Sequence, residues 1–241
     1  MLGMGTIINT VCIIAAGLAG QVVGKLFGEK QQEALIKVCG VSVLLIAVAG
    51  AMEGMLRVSG ASLSSGRSML LVLCIALGTL IGELMDIEKM FEDLGIYFKN
   101  KSGNSKDTRF VEAFVTASLT VCIGAMAIVG AIQDGVRQDY SILAVKSVLD
   151  FIIVTILTSS MGKGAAFSAV PVFLFEGGVT VCASLLESVM TDLAINYISL
   201  IGAVLIFCVG MNLIWGKMVR VANMLPALAL AVAAAYLPFS F

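Results

Sequence analysis

The sequence predicts an all-α, polytopic membrane protein of about eight transmembrane helices, and three observations carry that reading. Residues are 59% hydrophobic and 13% charged, against about 25% charged in an ordinary soluble domain, and the mean hydropathy is +1.04. Eight apolar runs are long enough, at ~20 residues each, to cross the hydrocarbon of a bilayer. The loop charges are also lopsided. Lys25, Lys30, Lys37, Lys89, Lys99, Lys101, Lys106, Arg109, Lys163, Lys217 and Arg220 fall on one side, and Arg57, Arg67 and Arg137 on the other. Basic residues mark the cytoplasmic side, so both termini are expected outside.

In chain order the expected spans are 4–24, 35–55, 68–86, 111–133, 141–161, 165–188, 195–215 and 221–240. No basic residue precedes Lys25, so the first run lacks the n-region of a cleaved signal peptide and is expected to be a retained span. The third run is short. Between the third and fourth, Ile87, Met90, Phe91, Leu94 and Phe98 recur at helical spacing, which predicts an amphipathic helix over 87–98. It suits the membrane interface or a surface packed on the bundle. Lys99 to Lys106 reads as a tether. The sixth run holds Pro171 and the glycine pair of Glu176-Gly177-Gly178, so an interruption of the helix is expected there.

Three spans share Thr-Val-Cys, at 10–12, 120–122 and 180–182. Gly40 to Gly50 resembles Gly202 to Gly210, and the starts Arg67-Ser-Met-Leu and Arg220-Val-Ala-Asn-Met-Leu are alike. The implied organisation is a single transmembrane domain, 1–241. It comprises a repeat 1–86, an interfacial helix and tether 87–109, a central hairpin 111–161 and a second repeat 165–241. Five spans separate the copies, which would invert them in the membrane, a pattern of secondary transporters.

Composition excludes several classes. Histidine is absent, removing the commonest transition-metal ligand and general base. Cys12, Cys39, Cys74, Cys122, Cys182 and Cys208 lie in apolar runs without a CxxC pair, so neither disulfides nor zinc are expected. P-loop, GxGxxG, HExxH and Ser-His-Asp patterns are missing, and an enzyme is not expected. The net charge of −1, with basic residues scattered over several loops, gives no nucleic-acid footprint.

Ionisable groups inside spans are costly, at roughly 2.5–3.5 kcal/mol each on insertion scales, and mark function by default. Lys146 and Asp150 stand four residues apart in the fifth span, on one helix face. They are either a packing pair or a coupling site, with Asp150 holding Na⁺ or H⁺ and Lys146 as counter-charge. Gln133-Asp134-Gly135 either closes the fourth span with a glycine or sets Asp134 at the mouth of an outward cavity. Glu176, Gly177, Gly178 and Thr180 would line a broken helix whose freed backbone groups bind cargo. Asn9 and Thr10, with Thr6, offer oxygen ligands near the outer end of span 1, where a solvated cap is the simpler reading. Asn212 is expected to bond between helices and Glu53 to sit at the interface. Gly17, Gly20, Gly24, Gly124 and Gly130 would let helices approach closely.

Gly5-Thr-Ile-Ile-Asn-Thr10, Gly124-Ala-Met-Ala-Ile-Val-Gly130-Ala-Ile-Gln-Asp-Gly135, Lys146-Ser-Val-Leu-Asp150, Phe167-Ser-Ala-Val-Pro171 and Asn223-Met-Leu-Pro-Ala-Leu resemble the bacterial "domain of unknown function 554" membrane proteins. The resemblance covers essentially the whole chain. It implies a bacterial plasma (inner) membrane and a shared fold more than a chemistry. Glu176 departs from the pattern, which has glutamine before the glycine, so the charge would alter what is bound there.

The functional expectation is a secondary transporter of a small solute or ion, with the lipid bilayer, the solute and a second copy of the chain as partners. Na⁺ or H⁺ would serve as coupling ion, with no other cofactor. An ion channel, or a non-transporting membrane scaffold or sensor, are the alternatives.

Overall fold

A computed structural model describes residues 3–59, 62–104, 107–123, 125–187 and 189–237. Gly124 and Lys106, among the residues singled out above, lie outside them. Helix α1 (Met4–Gly24) follows Gly3, whose φ of 77° starts the helix without a side-chain cap. Helix α2 (Glu29–Met55) begins six residues before the expected apolar run. Two local devices explain the extension. Gln31 Oε1 accepts the Gly28 N–H at 2.5 Å, and Lys37 pairs with Glu33 at 2.8 Å one turn on.

Two short antiparallel strands, Leu56–Ser59 and Ser62–Ser65, follow α2 and were not foreseen from the sequence. Arg67 ties the hairpin's end to the bundle. Its guanidinium donates to the Gly54 carbonyl at 2.9 Å and lies over the Tyr197 ring at 5.2 Å. Helix α3 (Ser68–Met85) then turns at Asp86, φ 50°, into α4 (Ile87–Lys101). Helix α4 is longer than expected and packs on the bundle. Phe98 stands 5.8 Å from both Phe114 and Phe167, ring to ring, and a Cβ on Gly95 would sit 2.9 Å from Phe114.

The fourth expected span is two helices, α5 (Phe110–Cys122) and α6 (Ala125–Arg137), with Phe110–Cys122 and Met126–Arg137 bent by 61°. Next come α7 (Ser141–Met161), a 3-10 turn Lys163–Ser168, α8 (Ala169–Val181), α9 (Ala183–Glu187) and α10 (Asp192–Trp215). A 3-10 turn Val221–Met224 leads into α11 (Pro226–Ala234).

Among the described residues six helices are long and apolar enough to span a membrane, or seven if the bent α5–α6 pair counts as one. The eighth expected span, 221–240, is represented by the shorter apolar segment Val221–Ala234. At ~1.5 Å per residue that is roughly 21 Å, less than the hydrocarbon thickness. The molecule is a polytopic α-helical membrane protein.

The sixth span is expected to break at Glu176-Gly177-Gly178; it breaks instead at Cys182, between α8 and α9. Helix α8 runs unbroken through all three, and Gly178 O still accepts the Cys182 N–H at 3.0 Å. Glycine permits a bend without forcing one. The sharp bend lies between α5 and α6, where a side chain described below takes up a carbonyl that the bend frees.

Small residues set the helix contacts. A Cβ at Gly20 would come within 2.6 Å of the Thr155 carbonyl, and one at Gly24 within 2.8 Å of the Ser159 carbonyl. With Gly5 against Leu143, these contacts run α1 and α7 side by side in the same direction. Gly17 against Ala166, and Thr6 against Thr180, place α8 antiparallel to α1. Helices α2 and α10 are antiparallel as well, Gly40 facing Leu213 and Gly54 facing Leu200. Helix α3 lies on the last segment, Gly78 against Ala227 and Gly82 against the Asn223 backbone.

Candidate functional site

The α1–α7–α8 trio brings four polar side chains together in the protein interior. Lys146 and Asp150 share a face of α7, as their i,i+4 spacing requires. Asp150 stands nine residues into α7, ~14 Å along its axis, which is mid-helix. Lys146 is 6% exposed, Asp150 4%, Glu176 0% and Asn9 0%.

Lys146 Nζ pairs with Asp150 Oδ2, stands 3.4 Å from Glu176 Oε1 and donates to the Val121 carbonyl at 2.7 Å. Val121 lies in the last turn of α5, whose carbonyls lose their helical partners at the bend. The ammonium therefore meets a carbonyl at the negative end of a helix, where a cation is favoured. Asn9 Nδ2 donates to Asp150 Oδ2 at 3.0 Å and to Glu176 Oε1 at 2.8 Å. One amide thus bridges the two carboxylates across three helices. Next to it, the hydroxyls of Thr6 and Thr180 are 3.3 Å apart.

Two features set this cluster apart from a closed ion pair. Two carboxylates face one ammonium. Among the described residues, Asn9 Oδ1 and Glu176 Oε2 are buried without a hydrogen-bond partner. Such atoms in a native interior call for an explanation.

Other residues singled out from the sequence have different places. Asn9 is not a solvated cap: it is fully buried, because α1 packs this face on α7 and α8. Thr10 donates to the Thr6 carbonyl of its own helix at 2.8 Å and does not enter the cluster. Gly177 and Gly178 do not open the backbone; a Cβ on Gly177 would meet only the Thr6 methyl at 3.8 Å, and one on Gly178 nothing within 4 Å.

Gly135 does not close a helix, since α6 continues to Arg137 and Gly135 packs against Thr180 and Ala183. Asp134 is fully buried, not at a cavity mouth. Its Oδ2 accepts the Gly5 N–H at 2.9 Å, supplying the N-terminal cap that Gly3 cannot. Gln133 is half-buried, and its carbonyl takes the Asp139 N–H at 3.3 Å. Asn212 does not join two spans. Its amide closes the turn after α10, donating to Val219 O at 2.7 Å and accepting from Met218 N and Val219 N at 2.9 and 3.0 Å. The tight turn after Trp215 brings those backbone groups within its reach.

A second polar cluster lies at the end of the bundle that carries α4. Glu88 is buried there, and both of its oxygens are engaged: Oε1 with Lys217 Nζ at 3.1 Å, Oε2 with the Ala222 N–H at 3.0 Å. Asn223 Oδ1 accepts the Glu88 N–H at 2.7 Å, and Lys217 also reaches Glu92 at 2.5 Å. Partial burial works against the Lys217 ammonium, but the hydrogen bonds and charges of Glu92 and Glu88 outweigh it and hold its pKa above the ordinary lysine value. Sequence reading missed this cluster, since nothing marks Glu88 within an amphipathic helix.

A cavity of about 950 Å³ opens beside that cluster, between the ends of α2, α5 and α10. Its deeper wall is apolar, with Val115, Leu119 and Met161. Among the described residues, the four side chains of the central cluster do not line it. Leu119 does, and it lies two residues before the Val121 carbonyl that holds Lys146.

Residues 4–236 match the family model described as "Protein of unknown function (DUF554)". The "Uncharacterized membrane protein YdfK" of Bacillus subtilis (strain 168) is 29% identical over 224 residues, 93% of this chain and 92% of that protein. The "Uncharacterized protein YqgA" of Escherichia coli (strain K12) is 27% identical over 233 residues, 95% of this chain and 94% of that protein. No solved structure matches. With nearly its whole length matched, the chain belongs to the DUF554 family of proteins of unknown function.

Proposed function

We propose that the chain is a cation-coupled secondary transporter of a small solute or ion in the bacterial plasma membrane, with both termini outside. One observation carries this reading: a charge-unbalanced, incompletely hydrogen-bonded cluster of Asn9, Lys146, Asp150 and Glu176 lies at the meeting of three membrane helices. A cluster kept only for packing would gain from having every group satisfied, because an unpaired buried charge costs several kcal/mol. Asp150 and Glu176 supply the acidic groups that a coupling cation needs, and Lys146 the internal counter-charge.

Two further features support the reading. The pairings α1 with α8, α2 with α10 and α3 with the 221–234 segment join each element of the first expected repeat to its counterpart in the second. Transporters of inverted-repeat type hold their sites near mid-membrane, between the repeats. The cavity of about 950 Å³ would serve as the cytoplasmic vestibule, closed from the cluster by the end of α5. A cluster that stands apart from this cavity favours alternating access over a continuous pore.

Uptake into proteoliposomes tests this. Purified protein should accumulate a solute from a panel of small ions and metabolites, saturably and in dependence on an imposed proton or Na⁺ gradient. Conductance that never saturates would make it a channel, and neither behaviour would make it a scaffold.

A further inference from the structure

The protons of the central cluster can be counted. Asn9 Nδ2 carries two, given to Asp150 Oδ2 and Glu176 Oε1. The Lys146 ammonium carries three, facing Val121 O, Asp150 Oδ2 and Glu176 Oε1. Turning the Asn9 amide over would set its oxygen against both carboxylates, so its orientation is fixed by them. Every donor of Asn9 and Lys146 is then committed. Left over are two buried acceptors, Asn9 Oδ1 and Glu176 Oε2, on two groups already joined by their other halves. The shortfall is one proton, and the charge count gives the same answer: two carboxylates against one ammonium leave one negative charge.

We infer that Glu176 binds one proton on Oε2 and donates it in a hydrogen bond to Asn9 Oδ1, closing a carboxylic acid–amide ring; resting on the transport reading above, this proton is the coupling ion. The step is a simple protonation. An O–H bond forms on Glu176 with a proton from water, and nothing else is made or broken. It satisfies both stranded acceptors and brings the cluster to neutrality.

A metal cation fits less well. Hard cations take about six oxygen ligands, whereas two acceptors stand free, and the ammonium of Lys146 is 3.4 Å from the same carboxylate. The groups facing Glu176 are Lys146 and Asp150 from α7, Asn9 from α1, and the Cys122 thiol at the end of α5, while Thr6 meets Gly177 and Thr180. From α6, Asp134 gives Oδ2 to the Gly5 amide, and its Oδ1 is buried without a partner among the described residues.

Infrared spectroscopy of the full chain in lipid nanodiscs tests the site directly. At neutral pH the wild type should show the carbonyl stretch of a protonated carboxylic acid. That band should shift when glutamate, but not aspartate, carries a ¹³C-labelled carboxyl group. It should vanish in Glu176→Gln and move to higher frequency in Asn9→Ala, where its hydrogen bond is lost. No protonated band at neutral pH, a band that follows labelled aspartate, or one that survives in Glu176→Gln would each overturn the proposal. So would a melting temperature that rises with Na⁺ while the band disappears. The labelling needs no variant, so misfolding cannot mask the answer. Proteoliposome uptake is scored separately: if no solute moves under any gradient, the transport reading and the coupling role fall, while the infrared result still decides the proton site.

Discussion

Glu176 and Glu88 are both buried glutamates, yet their surroundings differ in a way that separates structure from chemistry. Glu88 has a donor on each oxygen, one of them a backbone N–H, and its lysine partner sits at the edge of the bundle. It needs its negative charge to hold α4 against the 221–224 turn. Glu176 has all its donors on one oxygen and an excess of negative charge around it. The lesson is that burial alone does not mark a working carboxylate. What sets Glu176 apart is a donor-less oxygen on a side chain that must share one ammonium with a second carboxylate.

The largest expected effect breaks the central cluster from its basic side. Lys146→Met leaves two buried carboxylates bridged only by Asn9 and should destabilise the protein by about 3–5 kcal/mol, read by thermal unfolding in nanodiscs. Adding Asp150→Asn should recover most of that loss without restoring uptake. A double variant with full uptake would make the pair purely structural.

The peripheral cluster gives a smaller and different response. Glu88→Ala removes two charge-assisted hydrogen bonds and should cost about 1.5–3 kcal/mol. Amide hydrogen exchange should quicken along α4, while the infrared band of Glu176 stays put. A change in that band would mean that the two clusters are coupled and the contrast between them false.

Glu176→Gln sharpens the comparison further. A glutamine amide at that position can donate to Asn9 Oδ1 as the protonated acid does, so stability should move by less than about 1 kcal/mol while gradient-driven uptake is lost. The smallest effect comes from Lys217. Its pKa is raised in the folded state, so its contribution is fully present below the unfolded value of 10.5 and lost as the pH climbs through the folded one. The side chain is 49% exposed, which keeps the effect below about 1 kcal/mol, read by melting temperature against pH.

Much of this was legible in the sequence, and unevenly so. Helix periodicity fixed the face shared by Lys146 and Asp150, because four residues on a helix is a geometric statement. Glu176 and Asn9 stand out in the sequence as well, but on the wrong grounds, a broken helix and an exposed cap. Sequence carries no information about which face of α1 meets α7 and α8, and those contacts together bury Asn9. Two adjacent glycines, Gly177-Gly178, look permissive of a break in the sequence. Helices bend where the freed carbonyls find a donor, and for α5 that donor is Lys146, 25 residues further along the chain. Loop cues failed at Glu88 for the same reason: its partners, Lys217, Ala222 and Asn223, arrive from the other end of the molecule.

The two-to-one ratio of carboxylate to ammonium in the central cluster has an electrical meaning. A membrane potential acts on net charge, with about 2.3 kcal/mol for each elementary charge carried across 100 mV. The cluster with a proton on Glu176 sums to zero and would reorient in the bilayer without feeling the field. Without the proton it carries one negative charge, and the same motion becomes voltage-dependent. A cell's resting potential would therefore bias one half of the cycle and leave the other untouched.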